Sequence, residues 1–239
     1  MEFALPLQEA VLSKRYKRFL ADLITTNGDL LTAHCPNTGS MAACAEVGSR
    51  VWYWDSGNNQ RKYPCTWELV EVANKYLACV NTQRANGLVV EAINNGVIKE
   101  LQGYNELQQE VKYGHEGSRV DILLRGSGPD CYVEVKSVTW WRGSGQGEFP
   151  DAVTERGRKH LRELTAMVEA GQRAVLLFCV PHTGIQRIAP AWDKDPHYAQ
   201  TLLDAAAAGV EVYAYGANID IQGMALCRIL EVSLARPTK

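Results

Sequence analysis

Three consecutive segments decide the fold: Arg119-Val120-Asp121-Ile122-Leu123-Leu124, the turn Gly126-Ser127-Gly128-Pro129-Asp130, and Cys131-Tyr132-Val133-Glu134-Val135-Lys136-Ser137. Aliphatic and β-branched runs on either side of a Gly, Ser, Pro and Asp cluster predict a β-hairpin. Side chains alternate along a strand, so Glu134 and Lys136 share one face while Val133 and Val135 point the other way, into the core. Pairing Leu124 with Cys131 would set Asp121 opposite Glu134, with Cβ atoms roughly 4.5–5.5 Å apart. Directly opposed like charges are destabilising, and a divalent cation would remove that penalty. Mg²⁺ prefers carboxylate oxygens plus retained waters; there it lowers the pKa of a bound water and stabilises charge on a phosphoryl oxygen. Lys136 would orient or help deprotonate that water, or stabilise the transition state. A further carboxylate from the preceding helix would complete the site, Glu91 first, with Glu100 and Glu110 behind it. The plainer alternative is a solvated sheet face with an incidental Glu134–Lys136 ion pair.

Downstream of the hairpin, Asp151–Ala170 has Val153, Leu161, Leu164, Met167 and Val168 mostly on one face and predicts a helix that stops at Gly171. Arg173–Val180 is a nearly continuous apolar run, as for a strand covered on both sides. A helix over Pro196–Ala208 and a strand over Val210–Gly216 follow. Upstream, Leu88–Leu101 has a helical tendency that Asn94-Asn95-Gly96 weakens or breaks. Strands alternating with helices call for an α/β layer structure. The first 80 or so residues differ. Short strands are expected around Ala10–Arg15, Arg18–Ile24, Leu30–His34, Arg50–Trp54, Trp67–Val72 and Tyr76–Val80, separated by turn clusters, and suit a small closed barrel. The expected units are therefore a β-barrel over 1–82 and an α/β domain over 83–239.

With 239 residues, 46% apolar and 22% charged, the chain has room for two such units, and disorder, collagen and coiled coil are excluded. Its net charge of −2 excludes a chain that is basic overall, so any polyanion site must be local. Met1–Leu12 has no cationic then apolar leader pattern, and no uncharged run reaches membrane-span length, so a cytoplasmic protein with no membrane contact is expected. The seven cysteines form no C-x-x-C pair, and most are expected as reduced core thiols. There is no Walker loop, no G-x-G-x-x-G, no H-E-x-x-H and no G-x-S-x-G, which removes the mechanisms those motifs carry.

Asp121 followed thirteen residues later by Glu134-x-Lys136 resembles the PD-(D/E)XK nuclease signature. Cys35-Pro36-Asn37-Thr38-Gly39-Ser40-Met41, Arg61-Lys62-Tyr63-Pro64 with Thr66-Trp67-Glu68, and Val133 to Thr139 are more specific. So are Phe149-Pro150-Asp151-Ala152-Val153-Thr154-Glu155-Arg156-Gly157 and His160-Leu161-Arg162-Glu163-Leu164. Together they closely resemble the bacterial sugar fermentation stimulation protein A family over essentially the whole chain. That resemblance implies an N-terminal OB-like barrel followed by an α/β domain with a mixed sheet of the PD-(D/E)XK nuclease-like type. It also implies non-specific DNA binding and a regulatory part in maltose utilisation. Asp121, Glu134 and Lys136 carry over as the catalytic triad, with Glu91 beside them. Asp121 and Glu134 would hold Mg²⁺ or Mn²⁺. A Mg²⁺-dependent or structure-selective nuclease is the alternative function, and a homodimer is left open. The chain departs from the family at Trp140-Trp141-Arg142-Gly143-Ser144-Gly145, where an aliphatic residue and a different loop are more usual.

The candidate DNA contacts fall in three groups. Lys14, Arg15, Lys17, Arg18, Arg61 and Lys62 lie beside aromatic rings in the barrel half, either as a nucleic-acid surface or as solvated strand faces. Arg156, Arg158, Lys159 and Arg162, with His160, form either a phosphate-contacting helix or an exposed face neutralised by Glu155 and Glu163. Trp140 and Trp141 could stack on bases, or one could pack in the core. Asn37-Thr38-Gly39-Ser40 is either an anion-binding concavity or a tight turn.

Overall fold

The computed structural model describes residues 1–236. Six strands occupy the first 80 residues: β1 (Gln8–Tyr16), β2 (Leu20–Thr25), β3 (Leu30–His34), β4 (Arg50–Asp55), β5 (Cys65–Val72) and β6 (Tyr76–Cys79). Their order is β3-β2-β1-β4-β5-β6, and β3 also pairs with β5 through His34 and Thr66. That extra pairing closes β1 to β5 into an OB-like barrel and removes the edges an open sheet would expose. Leu12, Leu23, Ala33, Val51, Trp67 and Val70 fill its interior. Arg18, expected in a strand, lies instead in the turn Lys17-Arg18-Phe19, where Lys17 and Arg18 both have positive φ.

The second half contains α1 (Arg84–Asn94), β7 (Glu106–Tyr113), β8 (Ser118–Arg125), β9 (Cys131–Ser137), β10 (Gln146–Phe149), α2 (Glu155–Glu169) and β11 (Arg173–Val180). It continues with β12 (Arg187–Pro190), α3 (Pro196–Ala207), β13 (Glu211–Ile219) and β14 (Met224–Val232). The strands form one mixed sheet in the order β10-β12-β14-β13-β11-β9-β8-β7. Strands β9, β11 and β13 run parallel, while β8 and β7 extend the sheet as antiparallel neighbours. One face packs with α1 around Val133, Val135, Val175 and Leu177. The other packs with α2 and α3 around Leu176, Phe178, Leu161 and Leu202.

Local chemistry sets the helix ends. Helix α2 starts at Glu155 because the Thr154 hydroxyl caps it, accepting from Gly157 N at 3.0 Å, so Asp151–Val153 fall outside the expected helix. Asp195 caps α3 through Tyr198 N at 2.9 Å, with Pro196 at the first position. The same Asp195 accepts from Thr154 N at 2.8 Å, which fixes the two helix starts together. Helix α1 ends at Asn94, where Asn95 and a left-handed Gly96 stop it. Six of the seven cysteines are buried, and all are free among the described residues. No described helix is long and apolar enough to cross a membrane.

Polar ties join the two halves. Glu68 on β5 is fully buried and accepts from Trp54 Nε1 at 2.9 Å, Asn81 Nδ2 at 2.9 Å and Arg84 Nε at 2.7 Å, so a barrel carboxylate holds the start of α1. Asp151 Oδ2 accepts from Met41 N at 2.9 Å, and the Ser40 hydroxyl donates to the Asp151 carbonyl at 2.9 Å. Removing one partner of a buried pair strands the other charge, at a cost of about 3–5 kcal/mol. Glu68→Ala is expected to lower the urea-derived unfolding free energy by that amount. A loss under about 1 kcal/mol would show that Arg84 and Trp54 find water when the carboxylate goes.

Candidate functional site

Strands β8 and β9 pair in the expected register, Leu124 with Cys131, Leu123 with Tyr132 and Ile122 with Val133. The ladder stops one step short of Asp121 and Glu134. Asp121 Oδ2 instead accepts the Val135 N–H at 2.7 Å, and Oδ1 accepts from Asn86 Nδ2 of α1 at 3.0 Å. Side-chain alternation fails at this residue: Ile122 and Leu124 face α1, whereas Val120 and Leu123 pack on the opposite side with Tyr113. Level with it on β7, Glu110 is bracketed by the pairs Gln109–Ile122 and Val111–Val120 and has φ of 57°, the left-handed region that side chains other than glycine rarely adopt. The positive φ on β7 thus lies level with the break in alternation on β8.

Glu134 sits on the α2 side of the sheet, in register with Leu176 as Lys136 is with Phe178. Only 1% of it is exposed. Its Oε1 receives Lys136 Nζ at 2.5 Å and the Nδ1 of His160 from α2. His160 Nε2 accepts from Arg156 Nε at 3.3 Å, so the tautomer that satisfies both contacts carries its proton on Nδ1. The second oxygen, Oε2, is buried with no hydrogen-bond partner.

The two acids are driven apart electrostatically. Burial pushes the Asp121 carboxyl above its ordinary range, and the charge of Glu134 pushes the same way, against hydrogen bonds from Val135 and Asn86. Burial also acts to raise Glu134, but the His160 hydrogen bond and the Lys136 charge outweigh it and hold the carboxyl below its usual value. Hard oxygen donors of this kind suit a divalent cation. The orphaned Oε2 supplies a binding atom, and Asp121 carries charge that a cation would neutralise. Among the described residues no group of three or more His, Cys, Asp and Glu is placed to hold a metal ion, and His160 is spent on Glu134 Oε1, so water would complete the shell.

Lys136 and Asn86 also line a cavity of about 360 Å³ between the two halves. Its walls are the barrel turn Asn37-Thr38-Gly39, Thr82 and Ala85 at the α1 start, Ser137 to Trp140 after β9, and the Glu148–Asp151 segment. The barrel turn is held by Arg15, whose guanidinium donates to the carbonyls of Asn37 and Gly39 at 2.9 Å, Ser40 at 3.2 Å and Arg18 at 2.8 Å.

Several expected residues lie elsewhere. The Glu91 carboxylate binds the Met1 ammonium at 2.6 Å instead of approaching Asp121. Five residues along a helix amount to about 140° of net rotation, so the helix face that brings Asn86 to Asp121 turns Glu91 away. Glu100 accepts from Tyr215 on β13, and Glu110 is exposed. Arg15 is spent on backbone carbonyls. Lys14 and Lys62 lie over the rings of Tyr16 and Tyr63, and Lys17, Arg18 and Arg61 are exposed. On α2, Arg158 pairs with Glu155 and Asp195, Arg162 with Glu116, and Lys159 donates to the Glu116 carbonyl. Only Arg156 of the four lacks both a carboxylate and a carbonyl partner among the described residues. Trp141 packs against Tyr76 and His182, while Trp140 lines the cavity.

Two partners escape a reading of the sequence. Asn86 precedes the first residue of the expected helix, and His160 stands in the sequence among the cations Arg156, Arg158, Lys159 and Arg162. The periodicity that puts Leu161 and Leu164 inward could have flagged the second, since His160 is one turn ahead of Leu164.

A closed barrel joined to an α/β domain with a mixed eight-stranded sheet defines a two-domain protein of the OB plus mixed α/β class. Residues 14–80 match the SfsA N-terminal OB domain, and residues 83–223 match the sugar fermentation stimulation protein RE domain. The chain belongs to the sugar fermentation stimulation protein (SfsA) family. It is similar to the structure of Pyrococcus furiosus SfsA in complex with Ca²⁺, with a TM-score of 0.86 and 26% identity over 98% of each chain. A far weaker likeness is to the small subunit of the heterodimeric restriction endonuclease R.BspD6I. That match has a TM-score of 0.28 and 16% identity over 55% of this chain and 62% of that one, and supports no argument.

A carboxyl whose folded pKa is raised binds more protons when folded, so its contribution to stability is lost as pH rises through that pKa. Asp121→Asn is therefore expected to stabilise the metal-free protein at neutral pH by about 0.5–2 kcal/mol, as substitutions that relieve a strained site do. The gain should shrink as pH falls into the carboxyl's titration range, where Asp121 takes up its proton and loses the buried charge. Urea unfolding at the two pH values measures this, and a destabilised variant at neutral pH would contradict it.

Proposed function

We propose that this chain binds DNA without reading its sequence, at the groove between barrel and α/β domain, and that Asp121 and Glu134, on the hairpin that brings Lys136 to the groove wall, hold Mg²⁺ or Mn²⁺ beside it. The supporting observation is the unpartnered, buried Glu134 Oε2 beside Lys136, which lines the groove. Phosphate contacts position DNA without specifying bases, so a groove that offers hydroxyls and Lys136, with Glu148 held by Arg142 and Asp151 by the Met41 N–H, suits a sequence-tolerant function. The Pyrococcus furiosus relative with Ca²⁺ adds support, because Ca²⁺ and Mg²⁺ share a preference for oxygen ligands. When bound, the metal would polarise a phosphoryl oxygen and acidify its own water. Lys136 neutralises phosphate charge, and His160 holds Glu134 in the orientation that frees Oε2. The exposed barrel cations, together with Arg156, supply the remaining phosphate contacts. The reading places the protein in the cytoplasm, with any regulatory part in sugar utilisation acting through DNA occupancy.

Affinity is expected to fall with salt, with a slope of log K against log salt of roughly −3 to −5 for a few phosphate contacts. A slope near zero would remove the DNA reading. Separately, Mg²⁺ or Mn²⁺ should raise the thermal midpoint of the wild type and leave that of Asp121→Asn unchanged; an equal rise in both would place the ion elsewhere.

A second reading, metal-dependent phosphodiester hydrolysis, draws on the nearness of Lys136 to Glu134. Nicked, flapped and single-stranded DNA incubated with each metal, with Lys136→Ala alongside, would test it. Cleavage lost in the variant supports that reading, and no cleavage of any substrate rejects it while leaving the binding proposal standing.

A further inference from the structure

Resting on the DNA reading above, we propose that the groove admits one unpaired strand, with a base on Trp140 and its phosphate toward Lys136, so that single-stranded DNA is preferred over duplex. Size is the first reason. At about 360 Å³ the cavity is near the small end of ligand pockets, roughly 300–1,000 Å³, with room for one nucleotide and none for a double helix.

Charge is the second reason. A duplex bound along its backbones needs a track of free cations. Among the described residues Lys136 is the one cation lining the cavity, and the acids there are already engaged: Glu148 by Arg142 at 3.3 Å and Asp151 by the Met41 N–H. The basic helix α2, the obvious second track, spends Arg158 and Arg162 on carboxylates. What is left matches one phosphate at a time.

Aromatic placement is the third reason. Trp140 lines the cavity with the Arg142 guanidinium 4.6 Å from its ring centroid, an arrangement that fixes the indole as a flat platform. Bases stack on such platforms regardless of sequence, provided that they are not already stacked in a duplex. Outside the cavity, the turn Lys17-Arg18-Phe19 presents two exposed cations and a ring that is 45% exposed. Both cations hold positive φ, a conformation that side chains rarely adopt and that persists only where the surroundings enforce it. Arg15 enforces it, since the guanidinium that bonds the Arg18 carbonyl also bonds those of Asn37 and Gly39 in the cavity wall. Tip and cavity wall are thereby tied through one guanidinium, which keeps the exposed cations and Phe19 on the turn fastened to that wall.

Fluorescence anisotropy tests the proposal, using the full chain in Ca²⁺ with a labelled oligothymidylate and a blunt duplex of equal length at one low salt concentration. The oligothymidylate is expected to bind at least about tenfold tighter. Trp140→Ala should lose roughly 5- to 150-fold on the oligothymidylate, while the duplex changes by less than about twofold. Trp140→Phe, which keeps a stacking face, should retain most of the affinity and guards against a folding defect. Equal affinity for the two probes, or an equal loss on both with Trp140→Ala, overturns the single-strand inference and leaves the DNA reading intact. Retention of neither probe overturns both.

Discussion

A carboxylate taken out of water must find compensation inside the fold, and Glu134 places that demand on its whole neighbourhood. Its strand is paired on both sides, so nothing on β9 itself can help except Lys136 two residues on. The rest must come from the covering helix. His160 therefore faces inward on α2, with Arg156 one turn back to hold the ring. Gly157 lies between them because a Cβ there would sit 2.9 Å from the Tyr198 ring and 2.7 Å from Thr154. The distance of α2 from the sheet, its cap and its contact with α3 are consistent with keeping one buried charge satisfied on one oxygen and open on the other.

What the sequence discloses follows from how local each cause is. The hairpin register is legible because a Gly-Pro turn and two aliphatic runs fix it within twenty residues. Strand β11 is legible because a strand buried on both faces is apolar throughout. The break in α1 is legible as Asn94-Asn95-Gly96. Strands β10 and β12 have four residues each and owe their existence to partners brought by the fold. Strand β14 has the period-two burial of a half-covered strand, but Arg228 and Glu231 within it dilute the apolar signal. Within the site, Asp121, Glu134 and Lys136 are adjacent through one hairpin and could be placed from spacing. Asn86 and His160 reach it from helices whose rotation no local pattern fixes. Glu91 fails for that same reason.

Counting cations is a poor guide to where a polyanion would bind in this chain. The basic cluster on α2 is largely consumed in fastening that helix to Glu116, Asp195 and its own Glu155. Arg15, in the denser run Lys14–Arg18, is a structural clamp on carbonyl oxygens. The surplus is smaller than composition suggests and lies on the barrel rim, on turns that secondary-structure patterns treat as punctuation. Net charge near zero is compatible with a polyanion site only because opposite charges elsewhere are sequestered in pairs.

Gly39 carries a consequence of its own. Its missing side chain lets the Asp151 carboxylate come close to the barrel turn: a Cβ at this position would stand 3.0 Å from Oδ2 and 3.1 Å from Oδ1. The width of the cleft is thus gauged by a single hydrogen atom. A side chain here would oblige that carboxylate to give by a few tenths of an ångström, and with it the hydrogen bond to Met41 N that fastens the turn to the second domain.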